Sequence, residues 1–178
     1  MIFKTERLLI YSLKKSDSNN FFDMMGNPNV MLPIPQKTMT KTESDAKLIE
    51  LITLEKSTSN RIWGLVEKES NNFIGICGFL KNNDEENEIA YRLREKYWRK
   101  GYGTEITKGL ITFGFKNLNF DLVTADVNIE NIKSVKILDK FFIRDKEFFN
   151  KQDNCTDRRY KLTKENWVKQ ITKTGNIF

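Results

Sequence analysis

The chain has 178 residues, of which 39% are hydrophobic and 30% are charged, and its formal net charge at pH 7 is +6. This length and composition fit one globular domain with a buried core, so we expect a single domain over residues 1–178 that favours anionic partners. The sequence contains no histidine and only two cysteines, which excludes Ser-His-Asp and Cys-His catalysis and leads us to expect neither a metal site nor a disulfide framework.

The N-terminal part alternates between strand and helix patterns. Its opening residues lack the apolar segment of a signal peptide, and no stretch is long enough to span a bilayer. We therefore expect a cytoplasmic protein without a membrane partner. In chain order the patterns predict a strand at 7–13, a helix that Gly26 and Pro28 end, an extended connection over 31–41 and a helix that begins at Thr42.

The central part predicts an antiparallel hairpin followed by a crossover. The hairpin strands are 61–67 and 73–80, joined by a polar turn. The next patterns are a strand at 88–93, a helix over 103–118, a strand at 122–127, a short helix over 131–140, a strand at 158–163 and a last turn around Trp167. A strand, helix, strand unit implies that the strands at 88–93 and 122–127 are parallel neighbours.

A glycine-containing loop joins the strand at 88–93 to the helix that follows it. It runs from Trp98 to Thr104, with Gly101 and Gly103 around Tyr102 and with Arg99 and Lys100 before them. The first amides of a helix have no internal partner and carry the positive end of its dipole. This order therefore predicts an anion site for a pyrophosphate. A tight loop with surface cations is the alternative on these residues alone.

Four motifs, taken in order, extend over nearly the whole chain. They are Thr5 to Ile10, Tyr97 to Glu105, the set Asn131, Ser134, Asp139 and Lys140, and the set Tyr160, Leu162, Thr163, Glu165 and Trp167. In these motifs the chain resembles the GNAT superfamily of N-acetyltransferases, and within it the bacterial ribosomal-protein-alanine N-acetyltransferases. The resemblance implies a mixed α/β (α+β) fold with a central, strongly twisted mixed sheet of about six or seven strands and helices on both faces.

The resemblance also implies an activity and a cosubstrate. The expected reaction moves an acetyl group from acetyl-CoA to a primary amine by direct attack in a ternary complex. The backbone of the 91–93 segment is expected to pair with pantetheine, and the amide near Leu93 to polarise the thioester carbonyl. The expected cofactor-binding residues are Tyr91, Arg92, Leu93, Arg94, Trp98, Arg99, Lys100, Gly101, Tyr102, Gly103, Thr104, Asn131, Ser134 and Lys140.

Two residues are the catalytic candidates. An amine nucleophile must lose its proton, and Glu88 matches the family position that faces the acceptor. The alternative for Glu88 is a solvated member of the acidic run 84–88. Ser134 resembles the residue that hydrogen-bonds the CoA sulfur and helps to protonate the leaving thiolate; its alternative is an ordinary helix serine. Asn131 resembles a cofactor contact and equally suits a helix N-cap.

Two other functions compete with this interpretation. One is a catalytically degenerate relative that binds CoA as a sensor or interaction module. The other is a basic nucleic-acid binder that uses the cations of 92–100 with Tyr97, Trp98 and Tyr102 as stacking groups. We rank the nucleic-acid function last and expect no nucleic-acid partner. The acceptor is expected to be a protein N-terminus or a small-molecule amine, and a homodimer is the general expectation for the assembly.

Overall fold

A single eight-stranded mixed sheet organises the protein. The computed structural model describes residues 1–33 and 36–174. The strands are β1 (Phe3–Lys4), β2 (Leu8–Ser12), β3 (Arg61–Glu67), β4 (Asn72–Lys81), β5 (Asn87–Leu93), β6 (Leu122–Asn128), β7 (Ile143–Asn150) and β8 (Cys155–Thr163). Their order across the sheet is β1-β2-β3-β4-β5-β6-β8-β7. The mixed sheet is confirmed, and its eight strands exceed the expected six or seven because β1 and β7, where no strand was predicted, also belong to it.

Six helices accompany the sheet in the described residues. They are α1 (Ser18–Met25), α2 (Pro28–Met31), α3 (Lys41–Ser57), α4 (Tyr102–Lys116), α5 (Ile132–Leu138) and α6 (Lys164–Thr174). The expected start of α3 at Thr42 was too late, because Thr40 and Glu43 form a capping box that begins the helix at Lys41. The expected last turn is a full helix, α6. Ile34 and Pro35 of the predicted connection lie outside the described residues.

Hydrophobic clusters cover both faces of the sheet. Consecutive strand residues point to opposite faces, and in β3 Ile62 packs in the cluster of α1 to α3, whereas Trp63 packs in the cluster of α4 to α6. On the second face Phe115 of α4 and Trp167 of α6 have ring centroids 5.1 Å apart. The expectation of helices on both faces is therefore confirmed.

The sheet opens between its two parallel strands. The predicted crossover is confirmed, because β5 and β6 are parallel neighbours with Glu88 opposite Thr124. This is the only paired position recorded between them in the described chain. Both strands keep their outer partners over their whole length, β5 with β4 and β6 with β8. The inner edge of β5 after Glu88 is therefore free, and a gap opens toward the ends of the two strands.

Candidate active site

The loop before α4 presents a row of free backbone donors. Gly101 is the N-cap of α4 and has a φ of 83°, a left-handed conformation that glycine adopts without strain. Among the described residues, the backbone amides of 99–104 have no hydrogen-bond acceptor. The side chains of Arg99 and Lys100 are exposed beside them. This arrangement, a helix N-terminus with unpaired donors beside two cations, suits an anion.

The N-terminal strand segment braces this loop. The carboxylate of Glu105, in the first turn of α4, accepts hydrogen bonds from the Thr5 hydroxyl at 2.5 Å and from the Arg7 backbone amide at 2.8 Å. The Arg7 guanidinium binds the same carboxylate at 2.7 Å and the Lys100 carbonyl at 2.9 Å. Burial alone would raise the pKa of Glu105, but these hydrogen bonds lower it. Thr5 and Arg7 belong to the first motif of the family resemblance, and in the structure their side chains hold the loop in place.

The aromatic residues of the loop serve packing and fixation. The Trp98 indole donates to the Leu93 carbonyl at 3.0 Å, which ties the loop to the end of β5. The Tyr102 hydroxyl donates to Glu67, and its ring lies under the Arg7 guanidinium at 4.4 Å. That hydrogen bond to Glu67 is the main cause that raises the pKa of Tyr102 to about 12. The Tyr102 side chain is therefore buried in the protein, and its backbone amide is the part left for a ligand.

A cleft of about 1010 Å³ lies at the opening between β5 and β6. It brings together five of the residues predicted from the sequence, which come from β5 and from the start of α5: Glu88, Tyr91, Arg92, Asn131 and Ser134. Strand β5 contributes from both of its faces, since residues 88–92 all line the cleft. The opening in the sheet thus explains why residues distant in sequence meet here.

Glu88 is a partly buried carboxyl in this cleft. The backbone amide of Asp126 hydrogen-bonds to it, and the Asp126 and Asp157 carboxylates lie close enough to oppose its ionisation. Burial is the largest cause that raises the pKa of Glu88, followed by the charge of Asp126, and the pKa reaches about 8 against an ordinary 4.5. The Arg159 guanidinium acts in the opposite direction. A carboxyl with a pKa near neutrality suits a general base.

The rest of the acidic run does not face the cleft. Asp84 binds Arg159 and Lys146, and Glu86 binds Lys161 at 2.8 Å. Within the described run 84–88, only Glu88 lines the cleft. The solvated-run alternative therefore fits Glu85, which is exposed, and not Glu88.

Tyr91 and Ser134 form a hydroxyl pair next to the loop. The two hydroxyls lie close enough for Ser134 to influence the ionisation of Tyr91, but burial is the larger effect and raises the pKa of Tyr91 above its ordinary value. The Asn131 side chain accepts from the Ser134 amide at 3.3 Å, so the N-cap role of Asn131 is confirmed. The sequence predicted a backbone contact for Tyr91 and missed its hydroxyl. The alternation of β5 is the sequence feature that could have pointed to this hydroxyl, because it puts Tyr91 on the face opposite Glu88.

Two predicted cofactor residues have side chains that are turned away from the loop and the cleft. Arg94 is buried at 7% exposure, and its guanidinium binds the Asp23 carboxylate at 2.7 Å and the Phe73 carbonyl at 2.8 Å. In this structure its side chain therefore joins β4 to α1, and its role in cofactor binding stays a prediction. Lys140 is exposed beyond the end of α5 and does not line the cleft.

The described residues contain no set of three or more carboxylate, thiol or imidazole groups that would suit a metal ion. Across residues 1–33 and 36–174, none of the helices combines the length and the apolar character needed to cross a bilayer.

A family model described as an acetyltransferase (GNAT) domain matches residues 7–141. The chain belongs to the GNAT acetyltransferase family. An uncharacterized N-acetyltransferase, p20, of Bacillus licheniformis is 32% identical over 140 residues, which cover 75% of this chain and 77% of that protein. The predicted family and the predicted cosubstrate are confirmed, and this GNAT protein is an acetyl-CoA-dependent N-acetyltransferase.

Solved structures confirm the GNAT fold. Spermidine N-acetyltransferase from Vibrio cholerae, in complex with CoA and spermine, has a TM-score of 0.75 at 18% identity and covers 91% of this chain and 98% of its own. RimL, a ribosomal-protein alpha-N-acetyltransferase in complex with coenzyme A, has a TM-score of 0.77 at 14% identity and covers 93% and 98%. These two similar folds carry different acceptors, so the fold alone does not fix the acceptor of this GNAT protein.

Proposed function

We propose that Glu88 and Ser134 are the general base and general acid of a direct acetyl transfer from acetyl-CoA to a primary amine in a ternary complex. The observation that carries this proposal is the opening between β5 and β6, which gives both side chains access to one cleft. The free amides of 99–104 lie at the end of the same strand-to-helix connection. The acetyl donor, the amine acceptor and the two proton-transfer groups can therefore meet in one cleft.

The cosubstrate position follows from the backbone. The amides of 99–104, with Arg99 and Lys100, are the residues that bind a diphosphate, and Asn131 lies at the cleft to contact the cofactor. The free inner edge of β5 over 91–93 suits an extended pantetheine chain, which adds as a further strand. The Leu93 amide is the oxyanion donor of this proposal, and Trp98 fixes its position through the Leu93 carbonyl.

The proton transfers follow from the two ends of the cleft. An aliphatic amine arrives as an ammonium ion, and Glu88 accepts its proton once the carboxyl is ionised. The free amine attacks the thioester carbon, the C–S bond breaks, and the thiolate takes a proton from the Ser134 hydroxyl. The surplus proton of the attacking nitrogen restores that hydroxyl, and Glu88 releases its proton to solvent, so the products are the acetyl amide, the CoA thiol and one proton. The Tyr91 hydroxyl, which lies near Ser134, supports that transfer. No covalent acyl-enzyme is involved in this scheme.

Substitution at the two catalytic positions tests the proposal. We expect E88Q and S134A to lower kcat by roughly 10² to 10⁴-fold while the Kd for CoA, measured by calorimetry, stays close to that of the wild type. Glu85, an exposed acid that does not line the cleft, provides the matched control E85Q. Wild-type turnover in E88Q or S134A would overturn the assignment. A wild type that binds CoA but acetylates no amine would favour the degenerate CoA-binding module.

The remaining expectations stay predictions that we propose for this protein: one domain, a cytoplasmic location, a homodimer, and no nucleic-acid or membrane partner. One sheet that includes strands from both ends of the described chain supports a single domain. Tyr97 and Tyr102 are each 5% exposed, so neither ring is available for stacking on bases. Sedimentation velocity tests the dimer, and RNA affinity that falls steeply with salt would contradict the last expectation.

A further inference from the structure

Three consecutive positions on one face of β5 line the cleft. They are Glu88, Ala90 and Arg92, and alternation along a strand places them on the same side of the sheet. Four residues of strand separate the backbones of Glu88 and Arg92 by about 13 Å. Ala90 between them has only a methyl group, so the floor of the cleft is open there. The proposed base and a guanidinium therefore face the same space.

The Arg92 guanidinium has only weak partners inside the protein. Its contacts are the sulfur atoms of Met25 at 3.1 Å and Met31 at 3.5 Å and the side-chain oxygen of Gln36 at 3.5 Å. Thioether sulfur is a poor acceptor, and a guanidinium carries five N–H donors. Among the described residues, no carboxylate lies within 4 Å of this group; Asp153 acts on its charge only from a longer distance.

Other arginines of this chain show the contrast. Arg94, two positions later, pairs with Asp23 at 2.7 Å, and Arg7 pairs with Glu105 at 2.7 Å. The almost fully buried Arg159 binds Asp126 at 2.6 Å as well as Asp84. Arg92 is thus desolvated without the carboxylate that these arginines have. Burial accordingly lowers the pKa of Arg92 from its ordinary value.

We propose that Arg92 binds an oxyanion of the acceptor, and that the acceptor is a primary amine that also carries a carboxylate or phosphate group. This inference rests on the proposed function, because it needs Glu88 to mark the amine end. A guanidinium recognises a planar or tetrahedral oxyanion through two parallel N–H bonds. Asp157, which lines the cleft and acts on Glu88, favours the ammonium group at the other end.

The same arrangement disfavours polyamines. A second ammonium group placed at Arg92 would face a like charge in a partly buried site, and such a juxtaposition costs binding energy. Selectivity for an amine with an oxyanion then comes from attraction at both ends and repulsion of the wrong charge. We therefore do not expect this protein to share the polyamine acceptor of the Vibrio cholerae enzyme.

A chain-length series of acceptors tests the inference. We would compare ω-amino acids, ω-aminoalkyl phosphates and simple alkylamines of matched length with acetyl-CoA, following thiol release. For the wild type we expect at least one oxyanion-bearing amine to exceed its matched alkylamine about tenfold or more in kcat/KM. R92Q should lose that advantage mainly through a higher KM, with a loss of kcat/KM on the oxyanion-bearing amine about tenfold greater than on the matched alkylamine. R92K keeps the positive charge but lacks the two parallel N–H donors of a guanidinium. Its kcat/KM for the oxyanion-bearing amine should therefore lie between those of the wild type and R92Q.

The control variant is K47Q, because Lys47 also lines the cleft but is already paired with Glu50 at 2.8 Å. Unchanged CoA affinity by calorimetry shows that R92Q is folded. Equal or better turnover of the alkylamines, an equal loss on both classes in R92Q, or no acetylation of any member would overturn the Arg92 inference. Absence of heat with acetyl-CoA in the wild type would instead overturn the proposed function itself, so the two failures are distinguishable.

Discussion

The carboxylate of Glu105 binds both the backbone amide and the guanidinium of Arg7, which lies 98 residues earlier in the chain. The same guanidinium reaches the Lys100 carbonyl inside the glycine loop. Glu105 would otherwise be a first-turn acid that competes with a bound anion for the amides of α4. By turning this carboxylate toward Arg7, the protein fixes the loop and leaves its amides free.

We expect E105Q to weaken CoA binding and to lower the melting temperature. The amide keeps the size of the side chain but loses the ion pair with Arg7, and hydrogen bonds to a charged group contribute about 1.5 to 3 kcal/mol when they are shielded from water. Because Arg7 is half exposed, we expect the lower end of that range, which corresponds to about tenfold in Kd. Calorimetry with CoA and thermal denaturation measure the two effects.

Glu165 provides the control for that variant. It forms an exposed ion pair with Lys169 within α6, with a distance of 2.5 Å, and such pairs contribute little. E165Q should therefore change neither CoA affinity nor stability. If E105Q behaved like E165Q, the bracing role of the Arg7–Glu105 pair would be wrong.

The pH dependence of turnover should report the ionisation of Glu88. Its pKa is about 8, mainly because of burial, and only the ionised carboxylate accepts a proton from the amine. We expect kcat/KM to rise about tenfold per pH unit below pH 8 and to level off above it. D126N should shift this rise in kcat/KM to lower pH, because it removes the carboxylate whose charge opposes the ionisation of Glu88 most strongly. If the same rise in kcat/KM persists in E88Q, the residue that titrates is not Glu88.

Stability should respond to Glu88 and Glu86 in opposite directions. The folded pKa of Glu88 lies above its ordinary value of 4.5, so its ionisation costs stability progressively from about pH 4.5 to about pH 8 and fully above. E88Q removes this cost and should raise the melting temperature at pH 8, with no difference near pH 4.

Glu86 is the matched comparison, two positions earlier. Burial opposes its ionisation, but hydrogen bonds from Lys161 and Asn82 lower its pKa overall. Its contribution is present above the ordinary pKa and is lost as the pH falls through the folded value. E86Q should therefore lower the melting temperature at pH 7. Thermal denaturation of both variants between pH 4 and pH 9 shows whether each substitution raises or lowers the melting temperature. Changes in the same direction would refute the assignment.

Gly101 should tolerate no side chain without cost. Its φ of 83° lies in the left-handed region, where an L-residue loses about 1 kcal/mol. We expect G101A to lower stability by about that amount and to reduce CoA affinity, because the loop amides shift. K100A removes a neighbouring charge without changing the backbone preference. It therefore separates the effect of loop charge on CoA affinity from the effect of loop conformation. Unaltered stability in G101A would show that the loop relaxes freely.

The Tyr91 hydroxyl should matter for the leaving group more than for binding. Y91F keeps the ring but removes the hydroxyl that lies near Ser134, so we expect kcat to fall about tenfold with little change in the Kd for CoA. A double-mutant cycle with S134A measures the coupling between the hydroxyls. Additive losses in Y91F/S134A would show that the two groups act independently.

Much of the fold was readable because local patterns agreed with tertiary structure. The period-2 alternation of β5 and the glycine turn before α4 predicted the strand, the helix and the anion loop. The crossover rule then predicted that β5 and β6 are parallel neighbours. The boundaries were less accurate: Thr40, not Thr42, caps α3, and β1 was missed because a two-residue strand has no periodicity of its own.

Side-chain partners were much harder to predict. Arg92 and Arg94 were both predicted to bind the cofactor, yet the Arg94 side chain pairs with Asp23 on α1 and Arg92 lines the cleft. A strand pattern tells which residues share a face. It does not tell which element covers that face, because the partner comes from a distant part of the chain.

By itself, the sequence determined the elements of this protein and the backbone chemistry of its loop, since helix N-termini, glycine conformation and strand alternation are local properties. Only the tertiary structure decided which charges are neutralised and which are left free. Glu86 and Glu88 have the same side chain, yet one is paired with Lys161 and the other is buried near Asp126. Ionisation depends on burial and on charges a few ångströms away, and these are set by contacts between residues far apart in sequence.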